Sequence, residues 1–333
     1  MTNSIDNLDE IPGIPPTTIA NIVPDTLAGM RLDQVLVELF PDFSRSRLQK
    51  WIKAGQIRVD GQQLRPKDCV SGGELVEMAV VDDDESPWRP ENIPLQIIFE
   101  DDQLLVINKP AGMVVHPAAG NRSGTLCNAL LHYVPEIAAV PRAGVVHRLD
   151  KDTSGLLVVA RTLVAHKKLV EQLQQRTVKR EYQAMCYGVM TAGGTVDAPV
   201  GRHPNNRLRM AVVPHGKTAK THYRVQQRFS AHTLVRVKLE TGRTHQIRVH
   251  MSHIRYPLVG DFNYGGRAKV HAGCTEAFAT AIRNFKRQAL HATQLGLTHP
   301  LNNEWMQWQV DMPDDMQRLV ALAHEDLDSR QVK

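Results

Sequence analysis

Apolar residues recur along this chain in two rhythms. In RLDQVLVELF the residues Leu32, Val35, Leu36, Leu39 and Phe40 fall at helical spacing. Pro41 ends that helix, Ser44 is placed to cap a second one, SRSRLQKWIKAG, and Gly55 to terminate it. IRVDG then reads as a strand entering an Asp-Gly turn, and GGELVEMAV as its partner. Further on, strands are predicted at LQIIFE, QLLVINKP, GLLVVAR, REYQAMCYGV, THYRVQQRF, TLVRVKLE and ALHATQLGLTHP. Helices are predicted at NALLHYV, LVAHKKLVEQLQQR, HQIRVHMSHI, TEAFATAIRNFKR and DDMQRLVALAHEDL. Strands in runs with occasional helices between them predict an α+β fold with a mainly antiparallel mixed β-sheet flanked by helices.

Polar stretches divide these elements. Residues 1–29 are acidic and Pro-rich, without Lys or Arg, and read as a flexible tail. A compact module follows over 30–80. VDDDESPWRPENIP, residues 81–94, has three prolines and reads as a linker. The larger domain spans about 95–327, leaving a short C-terminal tail at 328–333.

Composition excludes several classes. Hydrophobic content of 42% and charged content of 23% are ordinary for a soluble globular protein. No apolar run approaches the roughly 18 residues of a membrane span, and the N-terminus lacks a basic signal-peptide region. A cytoplasmic protein without membrane partners is expected. The four cysteines form no C-x-x-C, which argues against a disulfide framework or a structural zinc site built from them.

Net charge is only +5, but residues 198–260 hold twelve Lys/Arg and one acid, Glu240. Such an excess is the footprint of a polyanion-binding surface, most simply nucleic acid. A solvated charged face is the bland alternative, though acids normally intersperse such faces. The second N-terminal helix is also basic, with Arg45, Arg47, Lys50 and Lys53 and no acid. The helix–helix–strand order over residues 30–80 resembles the S4 RNA-binding domain.

Chemistry concentrates in HRLDKDTSGLLVVAR, His147–Arg161, where four charges within five residues precede a buried run. Asp150 and Asp152, two residues apart, suggest a D-x-D metal site or a glycosidase acid pair, but Lys151 stands between them. Asp-Thr-Ser-Gly is a good turn in which Asp152 bonds neighbouring amides. Asp150 has no such turn role and follows Arg148. It is therefore the better candidate for a carboxylate kept ionised to act as a nucleophile.

This stretch resembles the signature of the RluA-type pseudouridine synthases. So do INKPAGMVVHP with Lys109 and Pro110, REYQA with Tyr182, LETGRTHQIRVHM with Arg248, and QALHATQLGLTHP with Leu290, all in family order. The resemblance implies conversion of uridine to pseudouridine in large-subunit (23S) ribosomal RNA, free or in an assembling subunit. Several uridines of one stem–loop, helix 69, would be the targets. It makes Asp150 the group acting on the ribose as nucleophile or base. Arg248 is its pairing cation, Tyr182 a stacking and proton-transfer group, and Leu290 part of the pocket floor. Arg148 would occupy the space left by a flipped-out base. Lys109, Lys217 and Lys220, with the arginines of 198–260, would grip phosphates, as would Arg45, Arg47 and Lys50 of the S4 module. His147 would either bond a phosphate or fill the turn. No metal or other cofactor is implied, and the enzyme would act as a monomer. Two other readings remain at this point: a base-excising glycosylase, for which only Asp152 offers a second carboxylate, and a non-catalytic RNA-binding assembly factor.

Overall fold

The computed structural model describes residues 17–41, 43, 45–80, 89–117 and 121–331. The chain divides into two compact units, Met1–Ser86 and Pro87–Lys333.

In the N-terminal unit, strands β1 (Thr17–Ile22), β2 (Ile57–Val59) and β3 (Leu75–Val80) form an antiparallel sheet in the order β1-β3-β2. Helices α1 (Leu32–Leu39) and α2 (Arg45–Lys53) pack on it around Leu36, Leu48, Trp51, Ile52 and Met78. The expected stop of α2 is a Schellman turn: Gly55 has φ +76°, and Gln56 N–H donates to Trp51 C=O at 3.0 Å. Asp60 and Gly61 both have positive φ, which gives the tight hairpin turn their sequence suggests. Ser44 lies outside the described residues. The tail expected over 1–29 lies outside the described residues up to 16, and 17–23 are no tail, because Thr17–Ile22 pairs along the whole of β3 and Val23 is buried in the core. Acidity and prolines nearby masked the β-branched alternation of TTIANI.

The larger unit contains β4 (Ile97–Glu100), β5 (Leu104–Lys109), β6 (Ser154–Ala160), β7 (Lys179–Tyr187), β8 (Gly194–Asp197), β9 (Val200–His203) and β10 (Asn206–Val212). Then come β11 (Lys220–Arg228), β12 (His232–Leu239), β13 (Leu290–Thr298) and β14 (Trp305–Gln309). Its helices are α3 (Leu126–Tyr133), α4 (Leu163–Gln174), α5 (Gln246–His253), α6 (Glu276–Asn284) and α7 (Asp314–Gln331). One sheet runs β4-β5-β6-β13-β7-β12-β11-β8, with β14 also on β13, while β9 and β10 form a separate hairpin. All the pairings within this sheet are antiparallel except β13 on β6, so the α+β expectation holds.

Both faces of the sheet are covered. Leu105, Ile107, Leu157 and Val159 face a core shared with α3 and α5, whereas Leu104, Val106, Leu156 and Val158 face α4. That double burial explains why GLLVVAR is continuously apolar rather than alternating. Gly155 is required where β6 meets β13: its φ is +115°, and a Cβ there would lie 2.2 Å from Ala292 O.

Two further boundaries differ from the sequence reading. Residues 89–94 are not a linker but are fastened to α3: Asn128 Nδ2 donates to Arg89 O at 2.7 Å, and Glu91 N–H donates to Asn128 O at 3.0 Å. α7 continues through 328–331, so the expected C-terminal tail is helical there. Strands β8, β9, β10 and β14 were not anticipated, since their exposed faces leave little apolar signal.

Candidate active site

Asp150 lies between buried Leu149 and the turn that opens β6. Two groups behind it hold this turn. Lys109, fully buried at the end of β5, donates to Pro110 O (2.8 Å), Met113 O (2.9 Å) and Lys151 O (3.0 Å). Gln288 Nε2 donates to Thr153 Oγ1 at 3.0 Å. The expectation that Lys109 grips RNA phosphates is thus corrected: its ammonium is spent on backbone carbonyls. Burial lowers its pKa to about 8, against the opposing pull of Asp152 and Asp150. Asp152, read as bonding neighbouring amides, makes no such side-chain bond among the described residues; it lies on the wall of a cleft.

Arg248, from α5, is buried and placed between two carboxylates. Its Nε and Nη2 make a bidentate pair with Asp261 (2.7 and 2.9 Å), and its Nη1 donates to Asp150 Oδ2 at 3.1 Å. Tyr264 covers one face, with its ring centre 4.9 Å from the guanidinium carbon. Burial opposes the charge, but Asp261 and Asp150 raise the pKa above the ordinary guanidinium range. Arg248 is therefore a fixed cation whose hydrogen bond orients Asp150.

The other Asp150 oxygen, Oδ1, stands 3.9 Å from His245 Nε2. His245 is held left-handed (φ 56°) at the start of α5, and its Nδ1 lies 2.8 Å from Tyr264 Oη. Non-glycine residues occupy that region at a cost of order 1–3 kcal/mol, a strain that concentrates at functional sites. Burial lowers the His245 pKa, Asp150 opposing, which favours the neutral imidazole.

Asp150 opens onto a cleft of about 780 Å³. Tyr182 (β7) and Leu290 (β13) form its apolar wall and are each nearly buried. Burial raises the Tyr182 pKa, so its hydroxyl remains a donor rather than a phenolate. Arg142, Arg148, Arg176, Arg180, Arg243 and Arg248 also line the cleft, and among the described residues Glu240 is the only lining acid besides Asp150. Arg148 is exposed and borders both this cleft and a second one of about 470 Å³ that Asp150 also lines. Beside Arg142, three successive residues, Arg142, Ala143 and Gly144, have positive φ. A Cβ on Gly144 would come within 1.9 Å of Ala160 O, so this arginine-bearing turn is pressed directly onto β6.

The remaining expected residues scatter. His147 Nε2 accepts Val158 N–H at 3.1 Å, and burial lowers its pKa to about 3. It fills the turn as a neutral acceptor, and the phosphate-binding alternative is set aside. Pro110 is exposed but borders neither cleft. Lys217 is exposed, and Lys220 pairs with Asp197 at 3.0 Å; both lie outside the cleft walls. In the N-terminal unit Arg45 is tied to buried Asp33 at 2.8 Å, so it braces the fold there. Arg47 stacks over Trp51 (4.6 Å) and Phe43 (5.6 Å), and exposed Lys50 lies on the same helix.

Sequence reasoning missed Asp261 and His245; of the cleft's arginines it named Arg148 and Arg248 and included Arg243 among the arginines of 198–260, but not Arg142, Arg176 or Arg180. The available signals were an acid directly following the basic stretch, in PLVGD, and the His three residues before Arg248.

A buried arginine clamping one half-open carboxylate, an aromatic and aliphatic wall, and a rim of guanidinium groups define a site for chemistry on a nucleotide within a polyanion. Residues 103–253 match the family described as RNA pseudouridylate synthase, and residues 30–76 match the S4 domain. The chain belongs to the RNA pseudouridylate synthase family and is an RNA pseudouridine synthase.

The similar proteins are more particular. Ribosomal large subunit pseudouridine synthase D of Xanthomonas campestris pv. campestris is 55% identical over 305 residues, 92% of each chain. The protein of that name from Pseudomonas aeruginosa is 56% identical, covering 91% of this chain and 95% of its own. That of Escherichia coli strain K12 is 53% identical, covering 92% and 94%. Among solved structures, Human RNA Pseudouridylate Synthase Domain Containing 4 is 25% identical with a TM-score of 0.56, over 69% of this chain and 93% of that one.

Proposed function

We propose that this enzyme isomerises uridines of large-subunit (23S) ribosomal RNA, with those of one stem–loop, helix 69, as its targets. The observation that carries the reading is Asp150, clamped by Arg248 at the base of an arginine-rimmed cleft walled by Tyr182 and Leu290. Relatives matching over 90% of the chain that are named for the ribosomal large subunit support the substrate class.

Pseudouridine formation detaches uracil from its ribose, turns it and rejoins it through carbon. Nothing leaves the site and no electrons are exchanged with a partner. Asp150 acts on the ribose as nucleophile or base, and Arg248 keeps it aimed. Tyr182 stacks beneath the uracil, and its neutral hydroxyl serves as a proton donor. The target must leave its helix, which costs a few kcal/mol. Exposed Arg148 stands at the mouth to take the vacated space, since a planar guanidinium stacks on bases and bonds phosphates. The cleft arginines, Lys217 and Lys220 hold the backbone, and Arg47 and Lys50 of the S4 module add a second grip. The enzyme acts as a cytoplasmic monomer on free rRNA or on an assembling subunit; no helix among the described residues is long and apolar enough to cross a membrane.

The test is a pseudouridine map of rRNA from cells with and without this protein. Loss of pseudouridines confined to one large-subunit stem–loop, restored by the wild-type protein and not by Asp150→Asn, is the expected result. An unchanged large-subunit map would overturn the substrate assignment.

A further inference from the structure

His271 and Cys274, in the loop before α6, meet Asp326 of α7. One ligand atom from each lies within 4.8 Å of the others. This cluster lies outside the walls of both clefts around Asp150. From it we propose a binding site for a zinc-class divalent cation, with His271 nitrogen, Cys274 Sγ and an Asp326 carboxylate oxygen as ligands.

Four observations support the assignment. The spacing is H-x-x-C through a tight turn: Gly273 has φ +73°, and Cys274 N–H returns to His271 O at 3.3 Å. Such turns deliver two ligands to one tetrahedral ion. The donors are nitrogen, sulfur and oxygen, a set suited to zinc rather than to magnesium or calcium, which take oxygen alone. Asp326 is already oriented as metal-bound carboxylates usually are: Thr275 N–H donates to its Oδ1 at 2.7 Å, and Oδ2 lies 3.2 Å from His271 Nε2. Finally, His271 Nδ1 and both ring nitrogens of His232 are buried without a partner among the described residues, and the two rings lie 5.9 Å apart edge to face. Buried polar groups normally find partners, and a concentration of orphans beside potential ligands marks an incomplete arrangement.

Charge balances as well. Binding releases the Cys274 thiol proton to solvent, and thiolate plus carboxylate offset the two positive charges of the ion. Without the ion, burial and the neighbouring Asp326 hold the thiol up at about 11, so the metal must supply the driving force for deprotonation. Arg330 Nε stands 3.5 Å from Asp326 Oδ2 and competes for it, while its Nη2 donates to Ala272 O at 2.9 Å. The ion would fasten the loop before α6 to α7. That link was invisible in the sequence, where Asp326 is 52 residues beyond Cys274.

The experiment titrates cobalt(II) into the untagged, full-length protein after removal of metal by a chelator. The expected result is one-to-one binding with a thiolate-to-cobalt charge-transfer band and the ligand-field bands of a tetrahedral ion, displaced by zinc. Cys274→Ser should abolish the charge-transfer band, and His271→Gln should weaken zinc binding by at least about tenfold, the lower end for losing even an indirect metal partner. Both positions are only partly buried, and circular dichroism confirms folding of each variant. Absence of the band in folded wild-type protein overturns the site. So does an unchanged zinc affinity in the folded double variant.

Discussion

Each unit of this enzyme holds a buried charge between opposite charges, and the two networks are mirror images in sign. In the N-terminal unit Asp33 is fully buried, with Arg31 Nε and Arg45 Nη2 on its oxygens at 3.0 and 2.8 Å and Gln49 Nε2 at 2.6 Å. Burial would raise its pKa, but these donors outweigh it and bring the carboxyl down to about 2. In the larger unit the buried charge at the cleft is the guanidinium of Arg248, and its two carboxylates are unequal. Asp261 is nearly inaccessible and fully engaged, whereas Asp150 gives one oxygen to Arg248 and leaves the other toward the cleft. The first network is closed and serves structure. The second is open by one oxygen, and that opening is where chemistry can occur.

Removing the open oxygen should have the largest effect. Asp150→Asn keeps the shape and loses the charge, so single-turnover pseudouridine formation should fall by at least about 10²–10⁴, the range of a lost proton-transfer group. Affinity for the RNA should change only a few fold, and filter binding alongside the rate measurement separates the two. Retained turnover would move the reacting carboxylate elsewhere.

Next comes stability. Asp261→Asn takes from buried Arg248 its bidentate carboxylate and leaves it Asp150 alone, which should cost about 3–5 kcal/mol. Asp33→Asn removes the partner of two arginines that are each more than one third exposed and return to water, so about 1–2 kcal/mol is expected from lost hydrogen bonds. Urea denaturation followed by segment-resolved hydrogen exchange assigns each loss to its unit. Equal costs would mean that exposure of the partner does not govern the penalty.

Acid should separate the units further. The N-terminal unit has no histidine, whereas His116, His147, His232 and His291 have pKa values lowered by burial to about 4, 3, 4 and 4. Between their ordinary value of 6.5 and these figures the unfolded chain binds more protons than the folded one. Stability of the larger unit therefore falls as pH drops from 6.5 toward 4, by about 1.4 kcal/mol per pH unit for each such histidine. Asp33 runs differently: its contribution is present above pH 3.8 and is lost only as pH falls toward 2. Amides of the larger unit should lose exchange protection first between pH 6.5 and 5, and parallel loss in both units would refute this.

The smallest effect is on salt dependence. Each phosphate contact contributes a log–log slope of about −0.7 to −0.9. Lys217→Ala with Lys220→Ala should flatten the slope by up to two contacts, less if Lys220 stays on Asp197, without changing which uridine is modified. A changed target would make these lysines readers of sequence.

The open network was half legible in the sequence. Asp150, Arg248, Tyr182 and Leu290 sit in local patterns and converge as expected. The closed parts were not legible. Lys109, Arg45 and His147 looked like RNA contacts because a sequence shows charge but not burial; their partners are backbone groups or acids set by tertiary packing. Asp261 lies 111 residues from Asp150, and only the folded chain reveals that they share an arginine. The elements followed the same division: the strands buried on both faces were read correctly, while β8, β9, β10 and β14 had too little apolar pattern to be seen.

The place of β13 has a consequence for how the enzyme comes into being. It fills the gap between β6 and β7 and carries Leu290, yet it lies 130 residues after the end of β6. At about 5–20 residues per second, a ribosome needs roughly 7–26 s to synthesise that interval. Until then β6 and β7 wait as unpaired apolar edges, the kind of surface that chaperones shield. The long-range pairing that completes the sheet also completes the cleft wall, so a nascent chain short of β13 is catalytically silent. The enzyme's activity thus begins only after translation has passed Thr298, the last residue of β13 in a chain of 333.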